Sequence, residues 1–182
     1  MKSTLRVAFC GMAAALSVVL LFLTNVFPTA TIALPALAGV LLMPVVVEIG
    51  IRWGWTVFAV CAVLSFFLMA DKEAFFMYIL FFGYYPVLKA LIEKHLHTGA
   101  LSWVLKLLVL NAAMAADVLL VVLVLQIPSE TFFEFGLYTP VILAVAANIV
   151  FVIYDFALSG LVAVYWQRLH PMIAKTFRKG NR

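Results

Sequence analysis

The chain has 182 residues, of which 67% are hydrophobic and 11% are charged. Soluble domains are about half apolar and about a quarter charged, so this composition excludes an ordinary water-soluble fold. The net charge of +4 is explained by basic residues beside membrane helices, which also attract anionic lipid, so no nucleic-acid partner is expected. The composition therefore predicts an all-α integral membrane protein.

Apolar runs of roughly 20 residues indicate helices that cross the hydrocarbon core of a bilayer, and their continuity disfavours a β-barrel. One long apolar stretch is about twice the thickness of a bilayer, so a hairpin is predicted around residues 48–52. The first run is long enough to be retained as a helix rather than cleaved as a signal peptide. The result is one predicted bundle of six transmembrane helices over residues 1–168. Its spans are residues 7–27, 30–51, 53–70, 74–92, 101–127 and 138–168.

The distribution of basic residues predicts the orientation of these spans. Of the 12 Lys and Arg residues, only Lys72 falls on one side of the predicted bundle. The positive-inside rule places the other side, with both termini, in the cytoplasm. Residues 169–182 form a basic cytoplasmic tail that either marks topology or docks a soluble partner. Lys89 and Lys106 lie near the ends of their spans, where they are expected to reach the headgroups or to pair with Glu48.

Polar side chains at membrane depth are the main candidates for function, because placing them there is costly. Asp117 and Asp155 lie well inside spans five and six, and no basic residue is predicted at the same depth to pair with either. Each carboxylate is therefore expected to be protonated, hydrated in a cavity, or matched by a polar or cationic ligand. Asn111 and Asn148 either contact a ligand or hydrogen-bond a neighbouring helix. Asn148 and Asp155, seven residues apart, share one helix face.

The segment FFGYYPVLK, residues 81–89, places a glycine and a proline inside span four. Pro86 has no N–H for the carbonyl of the residue four positions earlier, and its ring clashes with that carbonyl. A kink is therefore predicted beside Gly83. Tyr84 and Tyr85 either line a pocket for a planar organic ligand or pack against neighbouring helices.

The sequence lacks the motifs of the common enzymes. It contains no His-Glu-x-x-His zinc site, no Gly-x-Ser-x-Gly nucleophile turn and no glycine-rich phosphate loop. We therefore expect no catalytic residues, no metal and no cofactor. An intramembrane enzyme, the least favoured hypothesis, would require Asp117 and Asp155 to reach one reacting group.

The chain resembles the substrate-binding S-component of the energy-coupling factor (ECF) transporters, which import vitamins and other micronutrients into bacteria. The resemblance lies in chain length, in six spans with both termini inside, and in the start Lys-x-x-x-Arg-x-Ala that leads into residues 13–20. It implies a pocket in the outer halves of spans four to six, and a multi-pass protein of the bacterial cell membrane. The substrate-binding candidates are Asp117, Asn148, Tyr84, Tyr85, Asn111, Asp155 and Phe133, the last of these in an outer loop.

The same resemblance implies that a separate transmembrane coupling subunit and two cytoplasmic ATPases energise uptake. In that family small residues of the first helix contact the coupling subunit, and the nearest matches are Gly11 with Ala15 and Ala13 with Ser17. The alternative is a non-transporting scaffold, similar in size and helical layout to the cell-shape protein of the rod complex. A binding protein should hold a closed polar cavity near Asp117, whereas a scaffold should be packed solid.

Overall fold

The structure, a computed structural model, describes residues 3–96, 99–126 and 138–170. Every regular element in these ranges is helical, which confirms the predicted all-α class. The α-helices are α1 (Ser3–Phe22), α2 (Ala33–Val40), α3 (Met43–Glu48), α4 (Ile51–Leu68), α5 (Lys72–Met77), α6 (Tyr85–His95), α7 (Ala100–Val124) and α8 (Thr139–Val164). The 3-10 turns Leu23–Asn25 and Pro28–Ala30 follow α1, and the π-helical segments Tyr78–Phe82 and Tyr165–Leu169 follow α5 and α8.

Within the described ranges, five helical segments are long and apolar enough to cross a membrane. They are Thr4–Asn25, Ile51–Leu68, Lys72–His95, Ala100–Val124 and Thr139–Arg168. Four of them carry large apolar side chains that are more than half exposed, as suits contact with lipid tails, whereas Lys72–His95 is the most buried of the five. The chain is thus built as a multi-pass, membrane-embedded protein, while the sixth span and the orientation of the termini stay predictions.

The predicted second span, residues 30–51, is divided into two short helices. Pro44 opens α3 and has no N–H to continue the hydrogen bonding of α2, so the helix breaks at Leu41 and Leu42. The apolar segment Ala33–Glu48 is accordingly shorter than the five long ones. The predicted turn after it is confirmed, because Gly50 has a φ of 119° between α3 and α4. That backbone conformation favours glycine.

Two apolar cores hold the helices together. The first joins α1, α2, α4 and α5, and its buried members include Leu21, Ala38, Val57, Cys61 and Phe75. The second joins the segment after α5 to α6, α7 and α8, and its buried members are Phe81, Tyr85, Leu110, Ala113, Phe151 and Leu158. The second core contains Tyr85, whose hydroxyl binds Asp155, and also Phe81 and Phe151, which line a cavity.

The interruption predicted in span four is confirmed. The π-helical segment Tyr78–Phe82 ends in a turn at Gly83 and Tyr84, and α6 begins with Pro86 in its first turn. Pro86 offers no N–H to the Phe82 carbonyl. Gly39 of α2 packs against that carbonyl so closely that a Cβ on residue 39 would lie 2.1 Å from its oxygen. Because residue 39 is a glycine, α2 can pack directly against the backbone of the break in span four.

We predict that Gly39→Ala destabilises the protein by about 1–3 kcal/mol, because the added methyl group meets rigid backbone. The matched control is Gly160→Ala in α8, where a Cβ would meet nothing within 4 Å. Thermal unfolding in mild detergent, followed by tryptophan fluorescence, measures both variants. A Gly39→Ala melting temperature as high as that of Gly160→Ala would contradict the close contact.

Candidate functional site: a buried ion cluster and an apolar cavity

Four charged residues and one tyrosine, from three helices, meet in the interior of the bundle. Tyr85, Lys89 and Glu93 are spaced four residues apart and so lie along one face of α6. Lys106 of α7 and Asp155 of α8 complete the group. We call these five residues the ion cluster.

Asp155 is the centre of the ion cluster. Its Oδ1 accepts hydrogen bonds from Lys89 Nζ at 2.5 Å and from the Tyr85 hydroxyl at 2.5 Å. Lys106 Nζ lies 3.2 Å from both carboxylate oxygens. Glu93 Oε1 lies 2.9 Å from Lys89 Nζ and 2.8 Å from Lys106 Nζ. Two ammonium groups thus face two carboxylates, and the cluster is neutral in sum when all four are charged.

The expectation that no basic residue would pair with Asp155 is wrong. Lys89, Lys106 and Asp155 are only 5%, 3% and 2% exposed, so both lysines turn inward rather than towards headgroups. The helix of span four also continues to His95 instead of ending near residue 92, so Lys89 lies about two turns from its end. The spacing of four residues from Tyr85 to Lys89 and on to Glu93 was the sequence signal that could have indicated this face.

A cavity of about 800 Å³ lies beside the second core and is lined by four of its members, Phe81, Leu110, Ala113 and Phe151. Its walls come from the start of α2, the segment Tyr78–Phe82, α7 and α8, and they are mainly apolar. Among its lining residues are Met77, Phe81, Ala113, Asp117, Ala147 and Tyr154. From the sequence, a closed polar cavity near Asp117 is expected of a binding protein and solid packing is expected of a scaffold. The structure matches neither fully: it has a largely apolar cavity with this carboxylate in its wall, open where Leu143 and Val150 are exposed.

Asp117 differs from Asp155 in having no ion partner in the described part of the chain. Its Oδ1 is buried and accepts no hydrogen bond from the described residues. Glu73 of α5 adds a second negative charge to its surroundings. Lys72, the neighbour of Glu73, donates instead to backbone carbonyls at the end of α4 and just beyond it, at 3.0 and 2.8 Å. Within the described residues, no opposite charge therefore pairs with the Asp117 carboxyl group.

Tyr85 connects the ion cluster to the wall of the cavity. Its hydroxyl binds Asp155, while its ring stacks on Phe81 with ring centres 4.9 Å apart. The same ring meets Phe151 edge to face at 5.2 Å. Phe81 and Phe151 both line the cavity. Tyr85 is thus placed behind the cavity wall, with its polar tip in the ion cluster.

The other polar candidates lie elsewhere. Asn111 and Asn148 hydrogen-bond each other reciprocally at 3.0 and 3.1 Å, and so join α7 to α8. Neither lines the cavity. Tyr84 stacks on Trp55 of α4, with ring centres 6.1 Å apart, and is also absent from the cavity wall. Phe133 lies outside the described residues.

The small residues of α1 divide into two groups. Gly11 and Ala15 are exposed, which leaves them available to a partner in the membrane. Ala13 is half-buried, and Ser17 is fully buried and donates to the Ala38 carbonyl at 3.1 Å. Ser17 is therefore part of the internal contact between α1 and α2.

The fold and the cavity define the class of this protein: a helical, multi-pass membrane protein with a candidate site for a small molecule between its helices. No family model, no curated protein and no solved structure is significantly similar to the chain. Its particular function must therefore be inferred from the chemistry of the site.

We predict that Asp155→Asn destabilises the protein by roughly 3–5 kcal/mol, because it leaves two buried ammonium groups facing only Glu93. Asp117→Asn is the matched control. It makes the same chemical change at a carboxylate whose Oδ1 has no hydrogen-bond partner in the described residues, so it should lower the melting temperature far less. Thermal unfolding in detergent compares the two, and equal losses would contradict the assigned role of Asp155.

Proposed function

We propose that this protein is the membrane-embedded substrate-binding subunit of an uptake system for a small organic micronutrient. The observation that carries the proposal is the cavity of about 800 Å³ beside Asp117. Ligand sites in proteins typically measure about 300–1,000 Å³ and combine apolar walls with a few polar groups. This cavity has that size and that composition.

The cavity also favours a binding protein over a scaffold. A scaffold needs only packed helices and exposed surfaces for its partners. The space between the helices is open on one side, since its lining residues Ile32, Leu143 and Val150 are more than half exposed, and a ligand could enter it from there. In its wall, an oxygen of Asp117 without a hydrogen-bond partner among the described residues adds a polar group that a purely structural contact would not require.

The proposed topology places the cavity on the outer side of the membrane. The cavity includes Thr29 and Thr31, and the Thr31 hydroxyl binds Asp71, an acidic residue at the predicted outer end. The ion cluster then lies towards the cytoplasmic side. The sequence has no phosphate-binding loop, so a separate transmembrane coupling subunit and cytoplasmic ATPases would supply the energy. The exposed Gly11 and Ala15 are the proposed contact with that subunit.

We predict that native mass spectrometry of the protein, purified in mild detergent from its own host, detects a bound small molecule. Ala147→Phe should abolish this adduct, because residue 147 lines the cavity and the larger ring occupies it. Ala112→Phe is the matched control, since Ala112 is exposed on α7 and does not line the cavity.

An adduct that survives Ala147→Phe would show that the molecule binds elsewhere. If the wild-type protein and both variants all give a clean apo mass, the scaffold becomes the better explanation. Melting temperatures of the two variants, measured in the same detergent, establish that each is folded before its adduct is compared.

A further inference from the structure

We propose that the cavity binds a lipophilic organic cation, an amine or ammonium compound whose charged nitrogen pairs with Asp117. This inference rests on the proposed function and adds the chemical class of the ligand. It follows from the balance of charge around the cavity and from the nature of its walls.

The titratable groups around the cavity are acidic. Asp117 is in the wall, Glu73 of α5 interacts electrostatically with it, and no Lys, Arg or His lines the cavity among the described residues. A carboxylate at membrane depth is costly unless an opposite charge compensates it. An anionic ligand would meet repulsion from both carboxylates, whereas a cation would be attracted by both.

The nearby lysines are already occupied. Lys72 donates to the carbonyls of Phe66 and Met69. Lys89 and Lys106 are both held by Asp155 and Glu93 in the ion cluster. None of these three ammonium groups bonds to Asp117, so the compensating charge is left for a ligand to supply.

The walls specify an apolar, partly aromatic body for the ligand. Phe81, Phe82, Phe151 and Tyr154 all contribute to the lining, and aromatic faces also attract cations. The polar groups in the wall are few, and the Tyr154 hydroxyl already donates a hydrogen bond to the Ala36 carbonyl at 3.3 Å. A ligand with many hydroxyl groups, such as a sugar, would lose its hydrogen bonds with water and find few replacements.

Three probes with one skeleton test this inference: 4-phenylbutylammonium, 4-phenylbutanol and 4-phenylbutyrate. Equilibrium dialysis against the full-length protein in lipid nanodiscs, corrected with empty nanodiscs, measures the dissociation constant of each probe. We expect the ammonium compound to bind at least tenfold more tightly than the alcohol and the carboxylate to bind most weakly. Asp117→Asn should weaken ammonium binding at least tenfold and alcohol binding much less.

The possible failures are distinguishable. If the alcohol or the carboxylate binds as tightly as the ammonium compound, and Asp117→Asn does not change that order, the charge class is wrong while the binding function stands. The binding function stands in that case only if Ala147→Phe, which fills the cavity, blocks binding of the probes. If no probe binds the wild-type protein better than Ala147→Phe, both the ligand class and the proposed cavity function are overturned.

Discussion

The buried carboxylate of Asp155 is the constraint on which the second half of the structure depends. In an apolar interior it needs compensating charge, and Lys89 of α6 and Lys106 of α7 supply it. The three residues can meet only if their helices hold particular rotations about their axes. Those rotations also turn Ala113 and Asp117, which follow Lys106 at helical spacing, towards a common interior face. The ion cluster thereby helps to define the position of the cavity.

The interruptions of the helices are the second determinant of the architecture. Pro44 divides the predicted second span, and Pro86 follows the break in span four. Each proline removes one backbone hydrogen bond, and a membrane helix tolerates this only where other protein groups surround the freed backbone. Gly39 covers the Phe82 carbonyl from α2 at a distance that no other residue type would permit. The break in span four thus places irregular backbone next to the cavity, which Phe82 lines.

The two intramembrane aspartates lie in different environments, which supports a structural role for Asp155 and the proposed ligand contact for Asp117. Asp155 accepts hydrogen bonds from two lysines and a tyrosine and so stabilises the bundle. Asp117 has a buried oxygen with no partner in the described residues and faces space large enough for a ligand. Tyr85 lies between the two sites, with its ring behind the cavity wall and its hydroxyl on Asp155. Tyr85 therefore contacts both the ion cluster and two residues of the cavity wall, Phe81 and Phe151.

The sequence alone determined the membrane class, the positions of the long helices and the breaks near Gly50 and Pro86. These features depend on local composition and on backbone chemistry, which a linear pattern records directly. Only the tertiary structure decided which polar groups pair. Lys89 and Asp155 are 66 positions apart, and Asn111 and Asn148 are 37 apart. Such pairs depend on the depth and rotation of each helix to within a few ångströms, because a hydrogen bond tolerates little error in distance. Local sequence patterns do not specify either quantity so finely.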